Sequence, residues 1–219
     1  MTLRDYSYLL LEEIRNAHIV DDERIDLRFL DTLIGIKREK VLSKDNSTSA
    51  HNETLRQTMW VDMELDSSGH NPSILQSEEL LPTFIENKYG PLIDEIRGTN
   101  HMAPHFTVVP FDRIRWCGNG YFNKNNIFAS VHGKRVYLKS KDDAFRLIER
   151  IKIEGVFSNP MEVLDANGDP QLTPTTGTYP LNGDIFESVK SLINKEDIAF
   201  MLRLPSDEVN DATGNITLD

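Results

Sequence analysis

The sequence predicts an α+β fold in which terminal helices form a helical bundle and a strand-rich block is inserted between them. Three observations lead there. Apolar residues recur at helical spacing near both ends of the 219-residue chain, they alternate with polar ones in the middle, and loop signals separate the two patterns. The expected boundaries are 1–45 and 180–204 for the bundle, 55–164 for the β-rich insert, 165–179 for a loop and 205–219 for a C-terminal tail.

Each element has its own justification. Thr2 with Asp5 three residues later forms a capping box ahead of Leu3, Tyr6, Leu10, Ile14 and Ala17. Asp26 caps a second helix with Leu27, Leu30, Leu33, Ile34 and Val41 on its apolar side. Lys37, Arg38, Lys40 and Lys44 fall toward its C-terminus, where the helix dipole favours cations. Residues 45–54 read as a polar loop. Met59, Val61, Met63 and Leu65 then alternate with Thr58, Trp60, Asp62 and Glu64, which predicts a half-buried strand. Residues 67–91 and 98–107 read as irregular, with a short helical turn near Glu78.

Strand signals then cluster at 111–117, 127–131, 135–138 and within 145–157, with His132-Gly133 as a hairpin turn. Residues 165–178 are rich in Gly, Pro, Thr and Asp and predict a loop. Asn182 caps a third helix carrying Ile185, Val189, Leu192 and Ile193, extended by Ile198, Ala199 and Leu202 and stopped at Pro205. The acidic, weakly apolar tail beyond it cannot bury enough surface to fold alone.

Composition narrows the function. Formal charge is −11, so general binding of a polyanion is disfavoured. The charge is uneven: 107–159 is net +5, while 46–106 is −6 and 160–219 is −8. That asymmetry suits either internal pairing or docking on another acidic surface. The single cysteine, Cys117, excludes an intrachain disulfide and a cysteine-based zinc site. No signal peptide and no membrane-spanning run is present, so the expectation is a soluble chain made in a reducing cytoplasm. The Asn-x-Ser/Thr sites at Asn46, Asn52 and Asn215 are then chance matches.

Chemistry is hard to find. There is no phosphate loop, dinucleotide fingerprint or nucleophile elbow. Asp165-x-Asn167-x-Asp169 begins like a calcium loop, but Pro170 takes the sixth position and Thr176 the twelfth. His101 and His105 have helical ligand spacing with Pro104 between them. Acidic pairs such as Asp21-Asp22, Glu78-Glu79 and Asp142-Asp143 lack the apolar flanks that raise a pKa. No catalytic residue, metal ligand or cofactor-binding residue is expected.

Four stretches carry a resemblance. The first is the N-terminal helix running into Ile19-Val20-Asp21-Asp22-Glu23-Arg24-Ile25 and a basic second helix. The second is 127–138, ending in Val136-Tyr137-Leu138. The third is 153–163, Ile-Glu-Gly-Val-Phe-Ser-Asn-Pro-Met-Glu-Val. The last is Tyr179-Pro180-Leu181, a helix, then Leu204-Pro205-Ser206-Asp207-Glu208-Val209-Asn210-Asp211. In this order they resemble the ring or adaptor proteins of the head–tail connector of short-tailed bacteriophages, nearest to those of crAss-like phages. Residues 67–107 match least.

The resemblance implies a non-enzymatic virion protein. It would form a homo-oligomeric ring, commonly a dodecamer, contact the portal protein and other tail or ring proteins, and extend a channel through which genomic DNA passes without specific binding. No cofactor and no membrane contact are implied. It makes Trp60, Phe157, Pro160 and Tyr179 candidate subunit contacts, and Pro205, Asp207, Asn210 and Asp211 a candidate partner-docking tail. A different tail ring, a head-completion or assembly protein, or a small enzyme or ligand-binding module with an unrecognised site remain alternatives.

Overall fold

Alternation along Gln57–Leu65 produces the central strand, β1, whose Met59 and Val61 point into a core. The computed structural model describes residues 1–17, 25–44, 53–65, 74–88, 90–99, 105–118, 126–141 and 143–198. Around β1 it builds a seven-stranded sheet from β2 (Ile74–Ser77), β5 (Ile93–Gly98), β6 (Thr107–Val108), β7 (Phe128–His132), β8 (Arg135–Lys139) and β9 (Arg150–Gly155). The order is β5-β9-β1-β2-β8-β7-β6. Every pairing is antiparallel except β6 with β7. A separate pair, β3 (Glu86–Asn87) and β4 (Gly90–Pro91), lies outside it.

Register sorts the side chains. Met59 pairs with Ile153 and Val61 with Ile151, and Ile96 of β5 also faces Ile153. These residues join Leu75, Ala129, Val136, Leu138, Phe145 and Phe157 in one buried apolar cluster. The two outer strands then approach each other. Arg97 bridges His105, and the Phe106 N–H donates to Ile96 O at 2.8 Å. Residues 105–108 therefore touch both β5 and β7 and bring the sheet close to a barrel, which hides its edges.

The helices are α1 (Leu3–Ala17), α2 (Leu27–Lys44), the short α3 (Phe111–Ile114) and α4 (Gly183–Leu192), which continues as a π-helical turn over Ile193–Ile198. The expected capping box is present: Thr2 N–H donates to Asp5 Oδ2 at 2.8 Å, and Asp5 N–H donates to Thr2 Oγ1 at 3.2 Å. Asn182 Oδ1 accepts from Ile185 N–H at 2.9 Å and starts α4.

The predicted architecture, a helical bundle with an inserted strand block, is overturned. The nearly closed sheet is the dominant element, and the few helices form a layer seated on it. Leu3, Tyr6, Leu10, Leu30, Ile34, Phe186 and Val189 share one apolar cluster. A second, small cluster of Leu42, Leu55, Ile85, Leu92 and Val156 ties α2 to the strand region. The helical periods were readable locally. Closure of the sheet depends on short strands: β2 lies in a stretch read as loop, β5 mostly in one given no element, and β6 at the edge of a stretch read as irregular.

Smaller corrections follow. Residues 111–117, expected as strand, form α3 and a turn. The β7–β8 hairpin turns at Gly133-Lys134, with φ of 58° and 62°, rather than at His132-Gly133. Two consecutive positive φ values match the twist of the flanking strands. Phe145 lies in a 3₁₀ stretch (Asp143–Leu147) before β9.

Candidate functional site

The second helix places Leu30, Ile34, Arg38 and Leu42 four residues apart, and all four are fully buried. Arg38 is thus a cation on the apolar stripe. Its Nε donates to Pro180 O at 2.9 Å and its Nη1 to Phe157 O at 2.8 Å. Its guanidinium lies 5.8 Å from the centre of the Tyr179 ring. Burial lowers its pKa, opposed by Tyr179 and Glu39. Nη2 has no hydrogen-bond partner among the described residues. One side chain therefore pins the turn after β9 and the entry to α4 onto α2. Sequence placed Arg38 only toward the C-terminal part of α2, where the dipole favours cations; its full burial is added by the structure.

The neighbouring cation, Lys37, reaches the π-helical turn. Its Nζ lies 3.0 Å from Glu196 Oε2 and 2.8 Å from Asp197 Oδ2. Burial would lower the Lys37 pKa, but hydrogen bonds to Asp197 and Glu196 outweigh it and raise it. Lys40 also donates to Glu196, and the hydrogen bonds from Lys40 and Lys37 pull the Glu196 carboxyl down to about 2.

Around this node a groove of about 360 Å³ opens between α2, the 158–161 turn and the 174–179 segment. Leu3, Ile36, Pro160, Met161, Pro174 and Tyr179 give it an apolar floor and walls, and Asp31 and Glu39 stand at its side. Ser158 Oγ donates to Glu39 at 3.2 Å. Gln57 Nε2 donates to Pro160 O at 2.9 Å and fixes the turn from beneath.

The structure brings together three of the residues singled out from sequence. Phe157, Pro160 and Tyr179 lie on consecutive parts of the Arg38 node, yet their side chains are spent inside the chain. Phe157 is 0% exposed and packs with its ring tilted 31° against Phe84 at 4.6 Å, and Tyr179 is 3% exposed. Pro160 and Tyr179 also line the groove. Burial moves the Tyr179 pKa up, opposed by Arg38. Trp60 is apart from them, half-buried on β1 and opposite Lys152 of β9. Pro205, Asp207, Asn210 and Asp211 lie outside the described residues, as does His101.

The loop that begins like a calcium site has its carboxylate occupied by backbone. Asp165 Oδ1 accepts from Asn167 N–H at 2.7 Å and from Asp169 N–H at 3.0 Å, and backbone N–H donors lower its pKa. No cluster of three or more potential metal ligands occurs among the described residues. No helix among them is long and apolar enough to cross a membrane.

Sequence reasoning missed Arg38 and Gly35, a glycine in the middle of α2 that lines the groove. The signal for Arg38 was its four-residue phase with Ile34 and Leu42. The signal for Gly35 was a glycine inside a strong helix, where it costs about 1 kcal/mol relative to alanine.

A family model described as phage tail ring protein 2 matches residues 6–216. The chain belongs to this family. The match spans both the helical layer and the sheet, and it agrees with the resemblance to the ring proteins of crAss-like phages. A phage tail ring protein is a component of the virion, and it works as an oligomeric ring among other tail components. No curated protein matches the chain in sequence.

Proposed function

We propose that this tail ring protein is a purely structural subunit of the neck, where it joins the portal to the tail and prolongs the DNA channel. The observation that carries the reading is the family match over nearly the whole chain. Charge supports it: DNA sliding through a conduit must not stick, and a chain of net charge −11 gives the polyanion no general foothold. The resemblance adds a ring of twelve copies in direct contact with the portal, assembled in the host cytoplasm.

The subunit catalyses no reaction in this reading. Its work is to keep one shape while force and DNA pass it. Pinning of the helical layer by Arg38, and near-closure of the sheet, suit a rigid spacer.

The test is co-sedimentation of the purified chain with the portal ring of its own phage, followed by negative-stain electron microscopy. A stoichiometric layer beneath the portal is the expected result, and its rotational symmetry counts the copies. A chain that stays unbound at tens of micromolar, while it binds another tail component, removes the portal contact and the neck position.

A further inference from the structure

We propose that the ring closes by a knob-in-groove contact, in which the Trp116 corner of one copy enters the groove between α2 and the 158–161 turn of the next. This rests on the ring reading and names the surfaces that build the ring.

The groove has a feature that its own chain does not explain. Gly35 lines it in the middle of α2, and a Cβ placed there would meet no atom within 4 Å. Glycine weakens a helix interior, and nothing among the described residues needs its small size. A helix backbone left bare beside an apolar groove admits a close-packed occupant from outside. Ile36, beside it on the rim, is 55% exposed. At about 360 Å³ the groove has room for one large side chain.

The matching knob is on the far part of the chain. Trp116 is 71% exposed and follows α3 in a tight turn. The corner beneath it is fixed. Ile114 is buried, and the Phe111 ring stacks on His132 at 4.2 Å and meets Tyr137 at 5.0 Å. Cys117 N–H donates to Ile114 O at 3.2 Å, and Lys139 Nζ donates to Arg115 O. A large aromatic side chain on a rigid support is the type that dominates binding energy at interfaces.

Charge selects the same pairing. Arg113 and Arg115 flank Trp116 and are exposed. Glu39 is exposed at the groove, and Asp31, which also lines it, is paired with Arg4 at 2.9 Å. The knob lies in the basic stretch 107–159, whereas the exposed charge at the side of the groove is the Glu39 carboxylate, so like copies attract through unlike faces. Among the described residues, none that lines the groove lies between 105 and 141, so one copy can offer its knob and fill its groove at the same time. Such a head-to-tail contact is heterologous and generates a ring when the rotation closes.

The test uses the full chain with a benzophenone amino acid replacing Trp116, incorporated during phage growth, with purified tails irradiated. Cross-links to a second copy within 31–39 or 158–161 are expected. Cross-links to another part of a second copy overturn the groove and leave the ring intact. Links to a different tail protein, or to residues 199–219, overturn the occupant, and so does an absence of links in tails that contain the chain. Chain missing from tails altogether fails the ring reading itself.

Two variants add a complementation arm. Trp116→Ala and Gly35→Leu each lower incorporation into tails about ten-fold or more, while Trp116→Ala keeps the wild-type unfolding temperature and Gly35→Leu raises it. Mixed at high concentration, they form a one-to-one dimer that goes no further, because only one knob and one groove remain intact. Equal self-association of both variants and wild type refutes the contact.

Discussion

Arg38 is a buried cation without a carboxylate partner among the described residues, and replacing it separates two opposing effects. Its two charge-assisted hydrogen bonds, to Phe157 O and Pro180 O, each contribute about 1.5–3 kcal/mol. Against them stands desolvation of the guanidinium, which costs several kcal/mol after relaxation. Arg38→Ala loses both bonds and leaves a cavity at a fully buried position, so it destabilises by about 4 kcal/mol. Arg38→Met keeps the volume and removes the buried charge, but it leaves two carbonyls unpaired, so its loss is smaller, about 2 kcal/mol. With a urea slope of about 2 kcal/mol/M, the unfolding midpoints fall by about 2 M and 1 M. Equilibrium urea denaturation followed by tryptophan fluorescence and far-UV circular dichroism measures both. A methionine variant as stable as wild type shows that desolvation outweighs the carbonyl contacts and refutes the role given to Arg38.

Three further changes probe separate parts of the fold. Gly155→Ala drives a Cβ to 2.9 Å from Leu92 O and 3.0 Å from Phe84 Cε1, so it strains the β9 end and lowers stability by about 1–3 kcal/mol in thermal unfolding. Asn182→Ala removes the acceptor for Ile185 N–H and costs about 1 kcal/mol in urea, whereas Asn182→Asp keeps the wild-type midpoint. The Glu196 carboxyl titrates at about 2 in the folded chain against its ordinary 4.5. A depressed acid stabilises the fold above its unfolded pKa, so this contribution is complete above about pH 4.5 and fades as pH falls toward 2. Glu196→Gln therefore shows a flatter acid-unfolding profile in that window, and an unchanged profile rules out the Lys37–Glu196–Lys40 link as its source.

Local features were legible in the sequence because their causes are local. The capping box at Thr2 and Asp5, the alternation through β1, the β7–β8 hairpin and the Asn182 cap each depend on residues a few positions apart. Architecture was not legible in the same way. β2, β5 and β6 are short, and each is stabilised by partners far along the chain, as in the pairing of Ile96 with Ile153. Residues 111–117 carry apolar groups that suit either a strand or a helical turn, and the structure starts the helix with Pro110 at its N-cap. The stretches quoted around Phe157, Pro160 and Tyr179 did converge in space. Their proximity needed the turn after β9 to fold back on α2, which no sequence spacing announces. Gly35 had a visible cost and no visible reason, and its reason emerges only with the groove.

The most direct measurement is a cryo-electron microscopy reconstruction of intact tails from the phage that encodes this chain. The account predicts a closed ring of identical copies, all in one orientation and each joined head-to-tail to the next. A single copy, back-to-back pairs related by two-fold axes, or a position outside the tail would contradict it.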